Sequence, residues 1–330
     1  MVTILYHPKY WRNKRIFLTK KFKYSKVKSL FEYFSWKFKI PLPNNIVSSG
    51  PEKLVNNLLK SARLEKDITF NNLNSNNFYI LQFDDFGKEI IKKIFSKNSN
   101  PKILVGPLYN YSELLTLSNL LKEKENIKVV VASDVAKEVL ISHSSLQIHE
   151  SKIVVLPIGI ASRNKNKSNK FRNDSQCLVY FKKRDVSELR QIETTLYDKN
   201  IKYKIFEYGN YKNSELIKYA KRSTFGIILT RTESQGIAIQ ELLNQNLPLI
   251  ISEYTKNNTF IKGEVIVGSS VPFWSDKCGL KVNNLQEIDL KIDELLENLH
   301  IFKPNEFIST HLSFESTNLR LLDAFKNFYD

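Results

Sequence analysis

The chain is poor in cysteine and histidine, and it contains no long apolar run. Its 330 residues include two cysteines and five histidines, which form neither a disulfide framework nor a pattern of metal ligands. No apolar stretch approaches the ~18 residues that a membrane-spanning helix needs. The first residues also lack the order of charge, apolar stretch and small residues that marks a signal peptide. We therefore expect a cytoplasmic, reduced protein that needs no metal and no cofactor.

Positive charge is abundant, and it is concentrated near the start of the chain. The net charge is +16, and residues 9–39 alone hold eleven Lys and Arg against one acid, with ten aromatic residues interleaved. Such a segment can lie on an anionic membrane surface, bind nucleic acid through phosphates, or pack as a core helix with a solvated basic rim. We favour the membrane surface over nucleic acid, and simple packing remains the alternative.

The order of apolar segments predicts an α/β protein with two doubly wound parallel sheets. At 330 residues, two domains of roughly 150 residues each are expected. Short apolar runs alternate with amphipathic stretches, which favours right-handed βαβ crossovers. Strand-like segments occur at residues 2–6, 78–83, 102–105, 128–132, 177–181 and 202–206. Helical patterns occur at residues 51–62, 87–95, 112–122, 186–196, 214–221 and 313–330.

The most informative stretch is 225–252, FGIILTRTESQGIAIQELLNQNLPLIIS. It predicts a buried strand, a polar turn, a helix that starts near Gly236, and a second buried strand. Glu233 and Glu241 stand eight positions apart across the turn. A helix start offers unpaired N–H groups to phosphate, and carboxylates accept hydrogen bonds from sugar hydroxyls. The stretch is therefore suited to a ligand that carries both phosphate and hydroxyl groups, although an ordinary βαβ unit with solvated Glu residues is the alternative.

Glu233, Gly236, Glu241 and Pro248 fall in register with a family motif, E-x-x-G-h-x-x-x-E-A-h-A-x-G-x-P, where h is apolar. The stretch thereby resembles the E-x7-E element of retaining glycosyltransferases with the GT-B fold, in which two Rossmann-like domains face each other across a cleft. The resemblance implies that Glu241 holds the ribose hydroxyls and Glu233 the donor sugar. It also implies that backbone N–H groups of Ser234, Gln235 and Gly236 face the sugar and phosphate.

Three further positions acquire a role through the same resemblance. Relatives place a basic pair after the first strand of the second domain, against the donor diphosphate, and here Lys183 and Arg184 stand at that point in a run of three cations. A solvated basic turn is the alternative. Asp84 follows a predicted strand where many relatives carry a His near the donor sugar, so it is a candidate catalytic residue. For its neighbour Asp85, capping of the next helix is the expected role.

Two glycines are expected at the cleft. Gly50 lies in SSGPEKLVNNLLKSA, which resembles the glycine-containing loop and first helix of the acceptor domain in this family. A simple helix cap is its alternative role. Gly106 follows the strand-like segment at residues 102–105. Ligands of open parallel sheets bind beyond the carboxyl ends of the strands, which places Gly106 at the same edge as Asp84.

The resemblance implies a retaining glycosyltransferase that moves a sugar from a nucleotide-sugar donor to a glycan or lipid-linked glycan in polysaccharide or glycoconjugate biosynthesis. We expect an acceptor-side domain at residues 1–158, a nucleotide-sugar-binding domain at 159–310, and a final helix at 311–330 that returns to the first domain. The alternative is a non-catalytic basic adaptor on the same fold, which binds membrane or nucleic acid through residues 9–39.

Overall fold

The computed structural model describes residues 1–6, 50–109, 111–162, 176–254, 259–261, 264–266 and 269–330. The basic segment 9–39 lies outside these ranges, so its expected contact with a membrane remains a prediction. Among the residues that are described, no helix combines the length and the apolar character needed to cross a membrane.

Six parallel strands form the first sheet, in the order β2-β1-β3-β4-β5-β6. Its strands are β1 Val2–Leu5, β2 Ile68–Phe70, β3 Asn77–Gln82, β4 Lys102–Leu108, β5 Ile127–Val131 and β6 Ile153–Val155. The helices along this part of the chain are α1 Gly50–Ala62, α2 Asp85–Lys97, α3 Tyr111–Glu123 and α4 Asp134–Ser142.

Five parallel strands form the second sheet, in the order β13-β10-β9-β7-β8. Its strands are β7 Gln176–Lys182, β8 Lys202–Glu207, β9 Phe225–Thr230, β10 Leu249–Ser252 and β13 Gly279–Val282. The strands β11 Thr259–Ile261 and β12 Glu264–Ile266 form a separate antiparallel pair. The helices are α5 Val186–Asp198, α6 Asn213–Ala220, α7 Ile237–Leu243, α8 Ile288–Glu297, α9 Pro304–His311 and α10 Phe314–Lys326.

Both sheets are buried on both faces, which explains why their central strands are almost continuously apolar. Successive side chains of a strand point to opposite faces. In β3, Phe78 and Ile80 accordingly pack beneath α2, α3 and α4, whereas Tyr79 and Leu81 pack beneath α1 and α10. The second sheet is covered by α6, α7 and α9 on one face and by α5 and α8 on the other. The predicted α/β class with two parallel sheets is confirmed.

The last helix completes the core of the first sheet. Leu321, Phe325 and Phe328 are buried in one apolar cluster with Val2 and Ile4 of β1. A buried polar contact adds to this packing, because the Ser61 hydroxyl at the end of α1 donates to the Phe314 carbonyl oxygen at 2.7 Å. Leu319 of the last helix is 63% exposed, whereas Leu321 lies in the core.

The polypeptide that joins the two sheets passes close to the start of α10. The Gly159 N–H donates to the Thr317 hydroxyl at 2.7 Å, and the Ile160 N–H donates to the Leu312 carbonyl at 2.8 Å. A Cβ atom placed on Gly159 would lie 2.2 Å from the Ser313 carbonyl oxygen. Only glycine allows the two backbones to approach this closely.

Candidate active site

The motif at residues 225–252 forms the strand, turn, helix and strand that its sequence predicts. Strand β9 ends at Thr230, helix α7 begins at Ile237, and β10 follows at Leu249. Gly236 enters the helix with φ 69° and ψ 46°, a left-handed conformation that favours glycine. The turn is anchored by the Glu233 N–H, which donates to the Ser269 carbonyl at 3.0 Å. Glu233 is thereby held at the carboxyl edge of the second sheet, where ligands of open parallel sheets bind.

Glu233 forms an ion pair with the last residue of β7. The Lys182 Nζ lies 2.7 Å from Glu233 Oε1, and the two side chains are only 16% and 11% exposed. The same ammonium group lies 4.6 Å from the centre of the Tyr208 ring, within range of a cation–π interaction. A cation and a carboxylate therefore share one partly desolvated position. Sequence reasoning missed Lys182 and chose the two residues that follow it, although the pairing of β7 with β9 places Lys182 beside Thr230 at the same sheet edge.

Arg184 is buried, and its guanidinium group is hydrogen-bonded within the protein. Its Nε and Nη2 donate to the two carboxylate oxygens of Glu188 at 2.7 Å each. Its Nη1 donates to the carbonyls of Thr230 and Ser252 at 3.0 and 2.9 Å, and Nη2 also reaches the Ser252 hydroxyl at 3.1 Å. These contacts use all five N–H donors of the guanidinium group. The arrangement argues against the expected contact with a diphosphate and indicates that Arg184 joins the ends of β9 and β10 to α5.

Lys183 lies between Lys182 and Arg184, each of which bonds to a carboxylate, and its own side chain is exposed. Its φ of 54° is unusual for a residue other than glycine. Its expected role at the diphosphate stays a prediction.

Glu241 belongs to a three-residue cluster that joins the two halves of the molecule. The Lys53 Nζ on α1 lies 2.7 Å from Glu241 Oε2, with side chains 17% and 19% exposed. The same Nζ donates to Asn213 Oδ1 at 2.7 Å, and Asn213 Nδ2 donates to Glu241 Oε1 at 3.2 Å. Both oxygens of Glu241 are therefore hydrogen-bonded to the protein. We call Lys53, Asn213 and Glu241 the interdomain cluster.

Two tyrosines, Tyr180 and Tyr211, lie in the neighbourhood of the two carboxylates. The pKa of Tyr180 is raised, chiefly by burial, with a hydrogen bond to Tyr211 and the charge of Glu233 adding to the shift. The pKa of Tyr211 is also raised by burial, and the charges of Glu241 and Glu233 contribute to it. Tyr211 thus lies close enough to both carboxylates to respond to their charges, and both hydroxyls stay protonated at neutral pH. These neutral hydroxyls are further hydrogen-bonding groups of the site.

Residues Ser234 and Gln235 tie the turn to the first half of the molecule. The buried Ser133 hydroxyl at the start of α4 donates to the Ser234 carbonyl at 2.6 Å. The Gln235 side chain donates from Nε2 to the Ile158 carbonyl and accepts from the Ile158 N–H. Gln235 is 3% exposed, so its side chain has a structural role. The backbone N–H groups of this turn stay candidate ligands of a donor.

Asp84, and not Asp85, caps helix α2. Asp84 Oδ1 accepts from the Gly87 N–H at 3.1 Å, and Oδ2 accepts from Gln82 Nε2 at 3.1 Å. Asp85 is the first helical residue and lies in solvent, 3.6 Å from Lys88. The expected cap at Asp85 was wrong by one residue. The structure shows Asp84 as a helix cap at the carboxyl end of β3, and its catalytic role stays a prediction.

The two predicted cleft glycines occupy different settings. Gly50 is the first residue of α1, three positions before Lys53. Gly106 lies inside β4, with a φ of 121°. A Cβ on Gly106 would lie 2.6 Å from the Val130 carbonyl oxygen and 2.8 Å from the Tyr109 ring. Gly106 is therefore needed for close packing at this edge of the sheet, which is a structural reason for glycine at this position.

Comparison with known proteins supports the fold. No known family model matches the sequence, and no curated protein matches it. HepE from Anabaena, crystallised in complex with UDP, superposes with a TM-score of 0.53 over 98% of this chain and 99% of its own, at 11% identity. The fold is GT-B. This confirms the fold class expected from the motif around Glu233.

Two further solved structures are similar at a lower level. A chain of the GtfA/B complex matches with a TM-score of 0.49 and 13% identity, over 77% of this chain and 57% of its own. The lipopolysaccharide outer core galactosyltransferase WaaB matches with a TM-score of 0.45 and 9% identity, over 82% and 80% of the two chains. The chain therefore spans little more than half the length of the GtfA/B chain.

Proposed function

We propose that the protein is a glycosyltransferase that transfers a sugar from a nucleotide-sugar donor to a glycan or lipid-linked glycan, with retention of anomeric configuration. The observation that carries the proposal is the pair formed by Glu233 and Lys182 at the carboxyl edge of the second sheet. A carboxylate that can orient sugar hydroxyls and a cation that can neutralise phosphate occupy one partly desolvated position. HepE, which shares the GT-B fold, was crystallised with UDP.

Each residue of the pair would have a separate task. The Glu233 carboxylate accepts hydrogen bonds from donor-sugar hydroxyls. Lys182 stabilises the negative charge that develops on the diphosphate as the glycosidic bond breaks, and such electrostatic stabilisation is usually the largest catalytic contribution. Lys182 replaces Arg184 in this assignment because all donors of Arg184 are bound within the protein. The exposed Lys183 assists from the rim, and we expect that no metal is required.

Glu241 would bind the ribose of the donor. It lies on α7, one helix turn after the segment that carries Glu233, and it shares the neighbourhood of Tyr211 with Glu233. A carboxylate accepts two hydrogen bonds from a ribose diol. In the proposed arrangement the ribose lies at Glu241, the diphosphate at Lys182, and the transferred sugar at Glu233.

The acceptor would be bound by the first half of the chain. Gly50 and Gly106 are the candidate cleft residues on that side, and Asp84 is the candidate catalytic residue there. The basic segment 9–39 would hold the protein at an anionic membrane surface. Salt-sensitive binding to anionic vesicles is the test of this part. Because the Debye length shrinks with salt, vesicle binding should fade as the ionic strength rises.

The proposed function is tested by nucleotide binding and by sugar transfer. Wild type and Glu241→Gln are titrated with UDP and with GDP by calorimetry, and Glu215→Gln on the exposed surface of α6 serves as the control. We expect Glu241→Gln to weaken binding by about 1.5–3 kcal/mol, the usual range for a charged hydrogen bond, and the control to bind like wild type. Hydrolysis of a panel of nucleotide-sugars then identifies the donor.

A second pair of variants separates catalysis from binding. Glu233→Ala should lower sugar transfer more than affinity for bare UDP, since its proposed partner is the sugar. Lys182→Met should lower both, since the diphosphate is present in UDP as well. If neither UDP nor GDP binds to the folded protein, the enzyme proposal is wrong and the basic adaptor becomes the better hypothesis.

A further inference from the structure

Within the interdomain cluster, Lys53 and Asn213 bond to the carboxylate of Glu241, at which the proposed donor binds. Lys53 Nζ lies 2.7 Å from Glu241 Oε2 and 2.7 Å from Asn213 Oδ1, and Asn213 in turn donates to Glu241 Oε1 at 3.2 Å. The three side chains close a ring of hydrogen bonds. A ribose diol needs acceptor positions on the same two oxygens.

The three members come from different parts of the fold. Lys53 lies on α1, whose apolar residues pack under the first sheet, whereas Asn213 and Glu241 lie on α6 and α7 of the second half. Helix α7 itself contacts both sheets' cores, because Ile237 packs with α1 and α10 under the first sheet, whereas Ile239 packs with α6 and α9 on the second sheet. The position of Lys53 relative to Glu241 is therefore set by packing on both sides.

We propose that Lys53 acts as a gate on the ribose site, competing with the ribose hydroxyls of the donor for the carboxylate of Glu241. The inference rests on the proposed function, in which Glu241 binds ribose. The side chains of Lys53 and Glu241 are each more than four-fifths buried. Lys53 holds Oε2 and Asn213 holds Oε1. In this proposal the ribose displaces the Lys53 ammonium group from Oε2, and the same step breaks a link between the two halves of the molecule.

Competition between Lys53 and ribose predicts the direction in which nucleotide affinity changes when Lys53 is removed. A ligand that must break an existing contact binds with a lower apparent affinity, because the competent state is only a fraction of the population. Removing Lys53 should therefore strengthen nucleotide binding, although it removes a cation from a site that binds an anion. If Lys53 instead contacted the phosphates, its removal would weaken binding. The two roles predict opposite results.

The experiment compares UDP affinity among matched variants by calorimetry. Lys53→Met should bind UDP about five- to tenfold more tightly than wild type, within the range usual for coupled equilibria. Lys53→Arg retains a cation that can bond to Glu241 and should show little gain. Lys60→Met removes an exposed lysine from the same helix and should bind like wild type.

A second nucleotide tests whether ribose is the competitor. The gain in Lys53→Met should be absent for 2′,3′-dideoxy-UDP, which lacks the diol but keeps the diphosphate and the base. Asn213→Ala removes the second acceptor of Lys53, and it should strengthen UDP binding in the same direction. It carries the test if Lys53→Met fails to fold, as judged from its circular dichroism spectrum.

The outcomes separate this inference from the proposed function. Unchanged or weaker UDP binding by Lys53→Met, with wild-type binding intact, overturns the gate and leaves the glycosyltransferase proposal standing. An equal gain for UDP and the dideoxy nucleotide overturns competition with ribose. If no variant binds UDP or GDP, the proposed function fails and the gate fails with it.

Discussion

Replacing Arg184 by methionine should destabilise the protein strongly, because the guanidinium group is a structural link. Its side chain is 3% exposed, and its five donors reach Glu188, Thr230 and Ser252. Methionine fills a similar length but leaves the Glu188 carboxylate and two carbonyl oxygens without these donors. Breaking a buried ion pair from one side costs about 3–5 kcal/mol. We expect a loss of that size in the free energy of unfolding.

The loss can be measured by thermal melting followed by circular dichroism. For a folding unit of 150–250 residues, 1 kcal/mol corresponds to about 2–4 °C, so Arg184→Met should melt roughly 6–20 °C below wild type. Arg184→Lys offers three donors in place of five and should fall between the two. Arg190→Met, which replaces an exposed arginine on α5, is the control and should change stability by less than about 0.5 kcal/mol.

Unchanged stability of Arg184→Met together with weaker binding of UDP would refute the structural role of Arg184. If Arg184→Met melted like wild type while its affinity for UDP fell about tenfold, the guanidinium group would belong to the donor site. The hydrogen bonds to Glu188 and Ser252 would then be a resting arrangement that the diphosphate replaces. A fall in stability with unchanged UDP affinity in the folded fraction would support the structural role.

Three further predictions concern glycines, thiols and metal. Gly236→Ala should lower the free energy of unfolding by about 1–2 kcal/mol, because alanine disfavours the left-handed backbone at this position. Gly159→Ala should lower it by about 3 kcal/mol or more, because the new Cβ would overlap the Ser313 carbonyl. Urea unfolding of both variants tests this order. Burial raises the pKa of the Cys177 and Cys278 thiols, and this lowers the fraction of each that is present as thiolate. Neither thiol should therefore react with Ellman's reagent at mildly alkaline pH until guanidinium unfolds the chain. Sugar transfer should survive EDTA, and a loss that manganese or magnesium restores would show that a metal neutralises the diphosphate.

Elements with strong local patterns were predictable from the sequence. Strand β9, the turn at Gly236, helix α7 and strand β10 follow from two apolar runs, one glycine and one proline. Strand β2, Ile68–Phe70, was missed because it is three residues long and lies at the edge of its sheet. A strand of that length is too short to show the alternation on which sequence patterns depend.

The candidate site was only partly predictable, because its contacts join distant segments. Glu233 and Glu241 were found from their spacing, but their partners Lys182 and Lys53 stand 51 and 188 positions away. One signal in the sequence was overlooked. Glu188 stands four residues after Arg184, in the first turn of α5, and the closeness of the two opposite charges along the chain indicates that Arg184 has a local partner.

The position of α10 has a consequence for how the chain folds during synthesis. The apolar cluster under the first sheet combines residues from Val2 onwards with Phe328, almost the whole length of the chain apart. About 170 residues separate Ile158 from Phe328, and at translation rates of 5–20 residues per second they take roughly 10–30 s to emerge. Throughout that interval the β1 and α1 side of the core lacks its cover. The nascent chain should therefore depend on chaperones, and a premature stop that removes α10 should affect the folding of the half of the molecule synthesised first.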